Sequence, residues 1–292
     1  MRVAVYGRNF SLDFKKYIEK FFDILKQYNV DVLIYQDFAE FLIKTIGIDV
    51  GGLKIFTKYT DLKDNVNLLF SIGGDGTILS AINYVRDNDI PVVGINTGRL
   101  GFLASIAKED IESALAAILN SDYEIEERTL LKLETSSNVL GDFPYGLNEA
   151  TVQKIDSGMI TIHVYVNDEF LNTYWADGLI ISTPTGSTAY SLSVGGPIVI
   201  PSSGNFIISP ISPHNLTMRP IVLPDTSKLR LKLEGRALNY ITSLDHRSIM
   251  IKNIEELYIS KADFTIKIIK LQDTSFYKTL RNKLMWGVDT RN

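Results

Sequence analysis

Residues 66–77 read VNLLFSIGGDGT. An apolar run through Ile72 ends on two glycines, sets one carboxylate between glycines, and follows it with a threonine. A strand apolar throughout, rather than in alternation, is covered on both faces, as in a parallel sheet layered between helices. The flanking sequence keeps to that plan. Arg2 to Tyr6, Asp31 to Tyr35, Asn65 to Ile72 and Pro91 to Ile95 read as strands. Between them, Phe14, Tyr17, Ile18, Phe21 and Leu25 fall at helical spacing after Ser11, a candidate N-cap, and Asp37–Ile46, Thr77–Arg86 and Asp110–Leu119 read as further helices. The alternation predicts an α/β N-terminal domain, a parallel sheet with helices on both faces.

From about Tyr123 the period becomes two. Ile160, Ile162, Val164 and Val166 alternate up to Asn167-Asp168, which reads as a hairpin turn, and Leu229, Leu231 and Leu233 alternate with basic residues. This predicts a β-rich, mainly antiparallel C-terminal domain. Six of the nine prolines lie between Pro197 and Pro224, so that segment is expected to be loops and edge strands. The cluster Glu124, Glu126, Glu127 and Arg128 reads as a solvated strand face. The expected division is residues 1–122, 123–265 and a C-terminal segment, 266–292.

Composition narrows the class. The formal charge of -4, with 30 basic against 34 acidic residues, offers no basic stripe for a nucleic acid. The absence of cysteine excludes disulfides, thiolate metal sites and a cysteine nucleophile, and fits a reducing compartment. The opening MRVAVYGRNF breaks its apolar run too soon for a secretory leader, and no stretch reaches the length of a membrane span. A cytoplasmic protein without a membrane partner is the expectation.

Two segments carry chemistry. Glycines at the end of a parallel strand let backbone approach a ligand where a Cβ would clash. Asp75, held between Gly74 and Gly76, then projects into the crevice where open α/β sheets bind ligands, and Thr77 can cap a helix whose N-terminus favours phosphate. The loop suits phosphate recognition beside a carboxylate able to accept a hydroxyl proton; equally, it reads as an ordinary turn with Asp75 making a local side-chain bond. It is neither a Walker A loop nor a dinucleotide GxGxxG. The second segment, STPTGSTAYSLSVGGP at 182–197, holds seven Ser and Thr hydroxyls and that of Tyr190 between Ser182 and Ser193. Ser187 or Thr188 can begin a helix at Ala189. Such donors suit sugar hydroxyls and phosphate oxygens, or form a capped turn. Asn148-Glu149 and Asp177-Gly178 add polar turns.

Together these stretches resemble the NAD kinase family. The matches are GGDGT at 73–77, GINTGRLGFL at 94–103, LNE at 147–149, DGLIISTPTGSTAYSLSVGGPI at 177–198 and LDH at 244–246. GGDGT alone is shared with lipid kinases; the long stretch from 177 is specific. The resemblance implies transfer of the γ-phosphoryl of ATP to the 2′-hydroxyl of the adenosine ribose of NAD. It makes Asp75 the proton acceptor, with Gly74, Gly76 and Thr77 at the nucleotide. Asn148 and Glu149 are then substrate contacts, Asp177 lies near the nicotinamide side, and Thr188, Ala189, Tyr190 and Ser193 line the adenosine pocket, with Asp245 and His246 close by. It further implies Mg²⁺ held mainly by nucleotide phosphates and water, a homodimer or homotetramer, and a last segment, Phe276 to Trp286, that packs back on the first domain. Trp175-Ala176 stands where many bacterial relatives have a basic or small residue, which bears on whether NADH is accepted.

Histidine adds little. His163 in an alternating strand and His214 in the proline-rich loop read as structural, and no spacing of histidines and carboxylates suggests a metal site. The competing readings are a lipid kinase of the diacylglycerol kinase type, a non-catalytic NAD-binding regulator, and a serine hydrolase, which lacks a GxSxG elbow.

Overall fold

The first 95 residues form five parallel strands, four of them from the apolar runs. They are β1 (Arg2–Gly7), β2 (Asp31–Tyr35), β3 (Lys54–Phe56), β4 (Leu68–Ile72) and β5 (Val92–Ile95), hydrogen-bonded in the order β5-β4-β1-β2-β3. The computed structural model describes residues 1–285 except Arg99, Asn138, Arg236, Asn253, Ile254 and Asp273; the end of the expected C-terminal segment, Trp286, lies outside the described residues. Helices α1 (Lys15–Gln27), α2 (Gln36–Phe41), α3 (Asp75–Val85) and α4 (Ile111–Leu119) alternate with the strands.

Strand pleating sorts the core onto two faces. Val3, Val5, Phe70, Ile72, Val93 and Ile95 pack in one cluster with Ile18, Phe21 and Leu25 of α1 and Leu115 and Ile118 of α4. On the other face Gly94 leaves room for α3: a Cβ there would lie 2.5 Å from the Ile78 side chain. Tyr6 packs there against Tyr84 of α3, the rings tilted with centroids 5.3 Å apart. Helices therefore cover both faces, as expected. Local detail differs at two points. Ser11 precedes a 3-10 turn, Leu12–Phe14, and bonds the Asp13 carboxylate instead of capping α1. Strand β3, three residues long after Gly51-Gly52, is too short to leave a pattern.

The later residues build two facing antiparallel layers. The strands are β6 (Glu124–Thr135), β7 (Tyr145–Gly146), β8 (Glu149–Gln153), β9 (Ile160–Val166), β10 (Glu169–Ala176), β11 (Gly178–Ser182), β12 (Asn205–Ile211), β13 (Ile221–Pro224), β14 (Leu229–Glu234), β15 (Asn239–Leu244), β16 (Arg247–Lys252) and β17 (Glu256–Lys270). One layer runs β13-β12-β11-β8-β15-β16 and the other β10-β9-β14-β17. The alternating residues Ile160, Ile162, Val164, Leu229 and Leu231 meet Val152, Leu179, Ile181, Phe206 and Ile208 in the core between them. Asn167 and Asp168 turn the β9–β10 hairpin at φ of 52° and 68°, the left-handed pair that a two-residue turn requires.

The proline-rich stretch departs from expectation, because β12 is an interior strand of its sheet. Pairing with β13 ends at Ile208, so at Pro210 the strand is bonded only to β11. A missing N–H costs nothing on an open side. The acidic cluster also splits: Glu124 and Glu127 are exposed, while Arg128 is buried with Nη1 3.4 Å from Thr185 Oγ1.

By its internal contacts the chain divides into Met1–Glu127 with Ile266–Asn292, and Arg128–Thr265. The first unit takes the end of β17, where Ile268 pairs with Val92 of β5, and the last helix, α6 (Phe276–Leu284). Among the described residues no helix is long and apolar enough to cross a membrane.

Candidate active site

Strand β4 is buried along its whole length and runs straight into α3. Gly73 makes the turn at φ +151°, with the Thr77 hydroxyl filling the space a side chain would need, 2.1 Å from an ideal Cβ. Helix α3 begins at Asp75 with Gly74 as N-cap. Thr77 is therefore not the cap the sequence suggested: it sits inside the first turn, 6% exposed, its N–H donating to the Gly74 carbonyl at 2.9 Å. Gly74 and Gly76 are different. Both are exposed, and a Cβ on either would meet nothing within 4 Å. Packing does not require glycine at these positions, so they leave bare, accessible backbone on either side of Asp75.

The Asp75 carboxylate is held from above by a loop. Phe102 N–H donates to Oδ2 at 2.8 Å, and Leu103 and Ala104 N–H donate to Oδ1 at 2.9 and 2.8 Å. Lys283 Nζ lies 3.6 Å from Oδ2. The loop comes this close because residue 101 is glycine: a Cβ there would fall 1.8 Å from Asp75 Oδ1. A carboxylate offers about four acceptor sites, so three N–H groups leave one, on the oxygen that faces the ammonium.

In the second unit the hydroxyl-rich segment divides into buried and accessible members. Ser182, Thr183, Ser187 and Ser191 are fully buried. Thr183 donates to the Leu147 carbonyl at 2.5 Å, Ser187 exchanges bonds with Val199 at 3.0 and 3.2 Å, and Ser191 meets Ser209 at 3.0 Å. The hydroxyls of Thr183, Ser187 and Ser191 fasten the segment to its neighbours and are not free for a ligand, while Ser182 Oγ is buried without a hydrogen-bond partner among the described residues. Thr188, Ala189 and Tyr190 are half-buried and Ser193 is exposed. The accessible set coincides with the residues that the family resemblance assigns to adenosine. The short helix α5 (Tyr190–Ser193) starts at Tyr190, with Ala189 as N-cap and no side-chain cap, so neither Ser187 nor Thr188 begins it.

Asn148, Glu149, Tyr190 and Asp245 come together around this segment. Asp245 turns the β15–β16 hairpin at φ 52°, and its carboxylate accepts Leu147, Asn148 and Glu149 N–H at 3.0, 2.7 and 3.2 Å. Gly186 packs on Asn148, whose carbonyl oxygen would lie 2.1 Å from a Cβ. Glu149 is 7% exposed and its Oε2 has no hydrogen-bond partner among the described residues. Burial, then the Asp245 carboxyl, push its pKa up to about 8 against an opposing Tyr190 N–H bond. Burial also raises Asp245, against the three N–H bonds and Arg247. His246 is exposed in the same turn. Asp177 is half-buried and pairs with Lys154 at 2.6 Å. His163 bonds Thr173 and Glu234, both at 2.8 Å.

Sequence reading gave no role to Gly101, Lys154 or Lys283. The stretch GINTGRLGFL at 94–103 carries the family resemblance, but nothing in it announces that the N–H groups of Phe102 and Leu103 serve a carboxylate.

Comparison with known proteins fits this geometry. Residues 17–123 match the model of the ATP-NAD kinase N-terminal domain, and residues 147–271 that of the C-terminal domain. The chain belongs to the ATP-NAD kinase family. NAD kinases from Cytophaga hutchinsonii and Flavobacterium psychrophilum are 44% and 46% identical to it, each over the full length of both chains. An NAD kinase from Archaeoglobus fulgidus, solved in complex with ATP, superposes at a TM-score of 0.75 and 25% identity, covering 98% of this chain and 99% of that one. Yeast NADH kinase, solved with NADH, shares the fold at a TM-score of 0.86, with 22% identity over 100% of this chain and 89% of that one. The family is one of enzymes, so the silent-regulator, lipid kinase and serine hydrolase readings fall away.

Proposed function

We propose that this enzyme phosphorylates the 2′-hydroxyl of the adenosine ribose of NAD with ATP, supplying NADP. One observation supports the reading above the others: a single carboxylate, Asp75, stands between two bare glycines at the carboxyl end of a parallel strand. In the transfer the 2′-oxygen forms a bond to the γ-phosphorus, the bond to the β–γ bridging oxygen breaks, and its electron pair leaves on ADP. The proton of the hydroxyl passes to Asp75. Such transfers depend on positioning and charge neutralisation more than on covalent help, so a carboxylate already fixed by three N–H groups is well placed to orient the hydroxyl and take its proton late. Asn148, Glu149, Thr188, Ala189, Tyr190 and Ser193 bind the nucleotide, and Asp245 holds the Asn148-Glu149 backbone for them.

The reaction class calls for Mg²⁺. Among the described residues no group of three or more histidines and carboxylates could hold a metal ion. The cation is taken to arrive on the triphosphate.

The test is NADP formation from NAD, ATP and Mg²⁺, read by an NADP-specific dehydrogenase. Asp75→Asn keeps the size of the side chain, and the folded variant is expected to lose roughly 10²- to 10⁴-fold in kcat, the usual worth of a general base. Wild-type turnover in that variant would remove Asp75 as the base.

A further inference from the structure

Helix α6 is an unusual attachment. Of its nine residues, Phe276–Leu284, only Leu280 is buried, and its last turn carries Arg281 and Lys283. Ser275 caps it, accepting Lys278 N–H at 3.1 Å. Phe276 meets Phe102 at 6.1 Å between ring centroids. Lys283 lies over the same Phe102 ring, 4.8 Å from its centroid, with its ammonium 3.6 Å from Asp75 Oδ2. So the helix is seated on the loop that holds Asp75, and its last turn delivers a cation to that carboxylate. Among the described residues Lys283 is the one cation that pairs with Asp75.

The pairing is loose. At 3.6 Å it is beyond hydrogen-bond length, the lysine side chain is 39% exposed, and exposed pairs of this kind contribute little to stability. A four-carbon stem lets the ammonium swing without disturbing the helix. The surface it can reach includes Gly74 and Gly76, where bare backbone faces open space.

We propose that Lys283 is a catalytic residue of the transfer: its ammonium rests on Asp75 in the free chain and moves to the oxygens of the γ-phosphoryl group when the donor binds. The move does two things. It neutralises charge on the transferring group, and it clears the remaining acceptor site on Oδ2 for the ribose hydroxyl. This rests on the reading of Asp75 as the base.

Steady-state kinetics of Lys283→Gln and Lys283→Arg, measured beside Asp75→Asn, test it. Lys283→Gln is expected to lower kcat by about 10²-fold, the usual cost of removing one group that stabilises transition-state charge, with KM for NAD unchanged. Lys283→Arg, which keeps the charge, is expected to recover most of that loss. A lysine that only fastens α6 would leave kcat of the folded enzyme within about threefold of wild type, and that result overturns the proposal. If Lys283→Gln does not fold, Lys283→Met, which keeps the stem over Phe102, replaces it with the same readout. The two readings fail separately: an inactive Asp75→Asn with a fully active Lys283→Gln removes Lys283 alone, whereas an active Asp75→Asn removes the base.

Discussion

Asp75 and Glu149 are both carboxyl groups set among small polar residues, and the fold treats them in opposite ways. Asp75 is partly exposed and receives three backbone N–H groups and an ammonium. Glu149 is buried, has an oxygen without a partner among the described residues, and sits beside a second carboxyl, Asp245. The first setting supplies donors to an acceptor and suits a group that orients a hydroxyl. The second withholds water and sets a like carboxyl beside it, which raises the pKa against the single Tyr190 N–H bond and favours the neutral acid. Similar residues in similar sequence settings are thus given distinct chemistry by what surrounds them.

The sharpest way to break the contrast is to strip Asp75 of its donors while keeping the residue. Gly101→Ala puts a methyl group 1.8 Å from Oδ1. The atom in its way is the end of a side chain and no left-handed φ is needed at 101, so the chain should still fold. The carboxylate must leave the N–H groups of residues 102–104. Displacing a reacting group by about 1 Å can cost about 10²-fold in rate, and kcat of the folded variant should fall by that order, while the melting temperature also drops because three N–H groups lose their acceptor. Wild-type kcat in a folded Gly101→Ala would show that the clamp is irrelevant to turnover.

The other side of the contrast predicts a pH dependence. Glu149 has its pKa raised from 4.5 to about 8, so the folded chain binds a proton that the unfolded chain releases. Its contribution to stability is complete below about pH 4.5, declines as pH rises, and is lost above about pH 8. The slope in that window approaches about 1.4 kcal/mol per pH unit. Glu149→Gln, a neutral mimic of the protonated acid, should flatten the fall in melting temperature between pH 5 and pH 8. An unchanged slope in the variant would mean that Glu149 is ionised in the folded protein.

How much of this could be read from sequence follows from the range of the forces involved. The GGDGT loop was legible because the apolar run and the glycines are local, and the Asn167-Asp168 hairpin because its turn residues need a left-handed backbone. The partners of Asp75 were not, since three of them are backbone N–H groups of residues 102–104 and the fourth, Lys283, lies near the far end of the chain. Backbone donors have no side-chain signature. Pro210 misled because the rule against proline in interior strands concerns the side on which the N–H would be needed, and that depends on where β13 stops.

The hydroxyl-rich segment sets the smallest test and the finest one. Its sequence shows a row of donors, and only tertiary burial separates the fastening members from the accessible ones. Ser191 is fully buried and shares a 3.0 Å bond with Ser209, whereas Ser193 is exposed. Ser191→Ala leaves the Ser209 hydroxyl without its partner and should cost about 1 kcal/mol in urea unfolding, the ordinary net worth of such a bond, with KM for NAD unchanged. Ser193→Ala should do the reverse: it removes nothing that holds the fold, so stability stays level, while KM for NAD rises by a few-fold, consistent with about 1 kcal/mol for a lost contact to substrate. If both variants shift KM and neither shifts stability, burial does not sort these hydroxyls by role, and the segment acts as one binding surface.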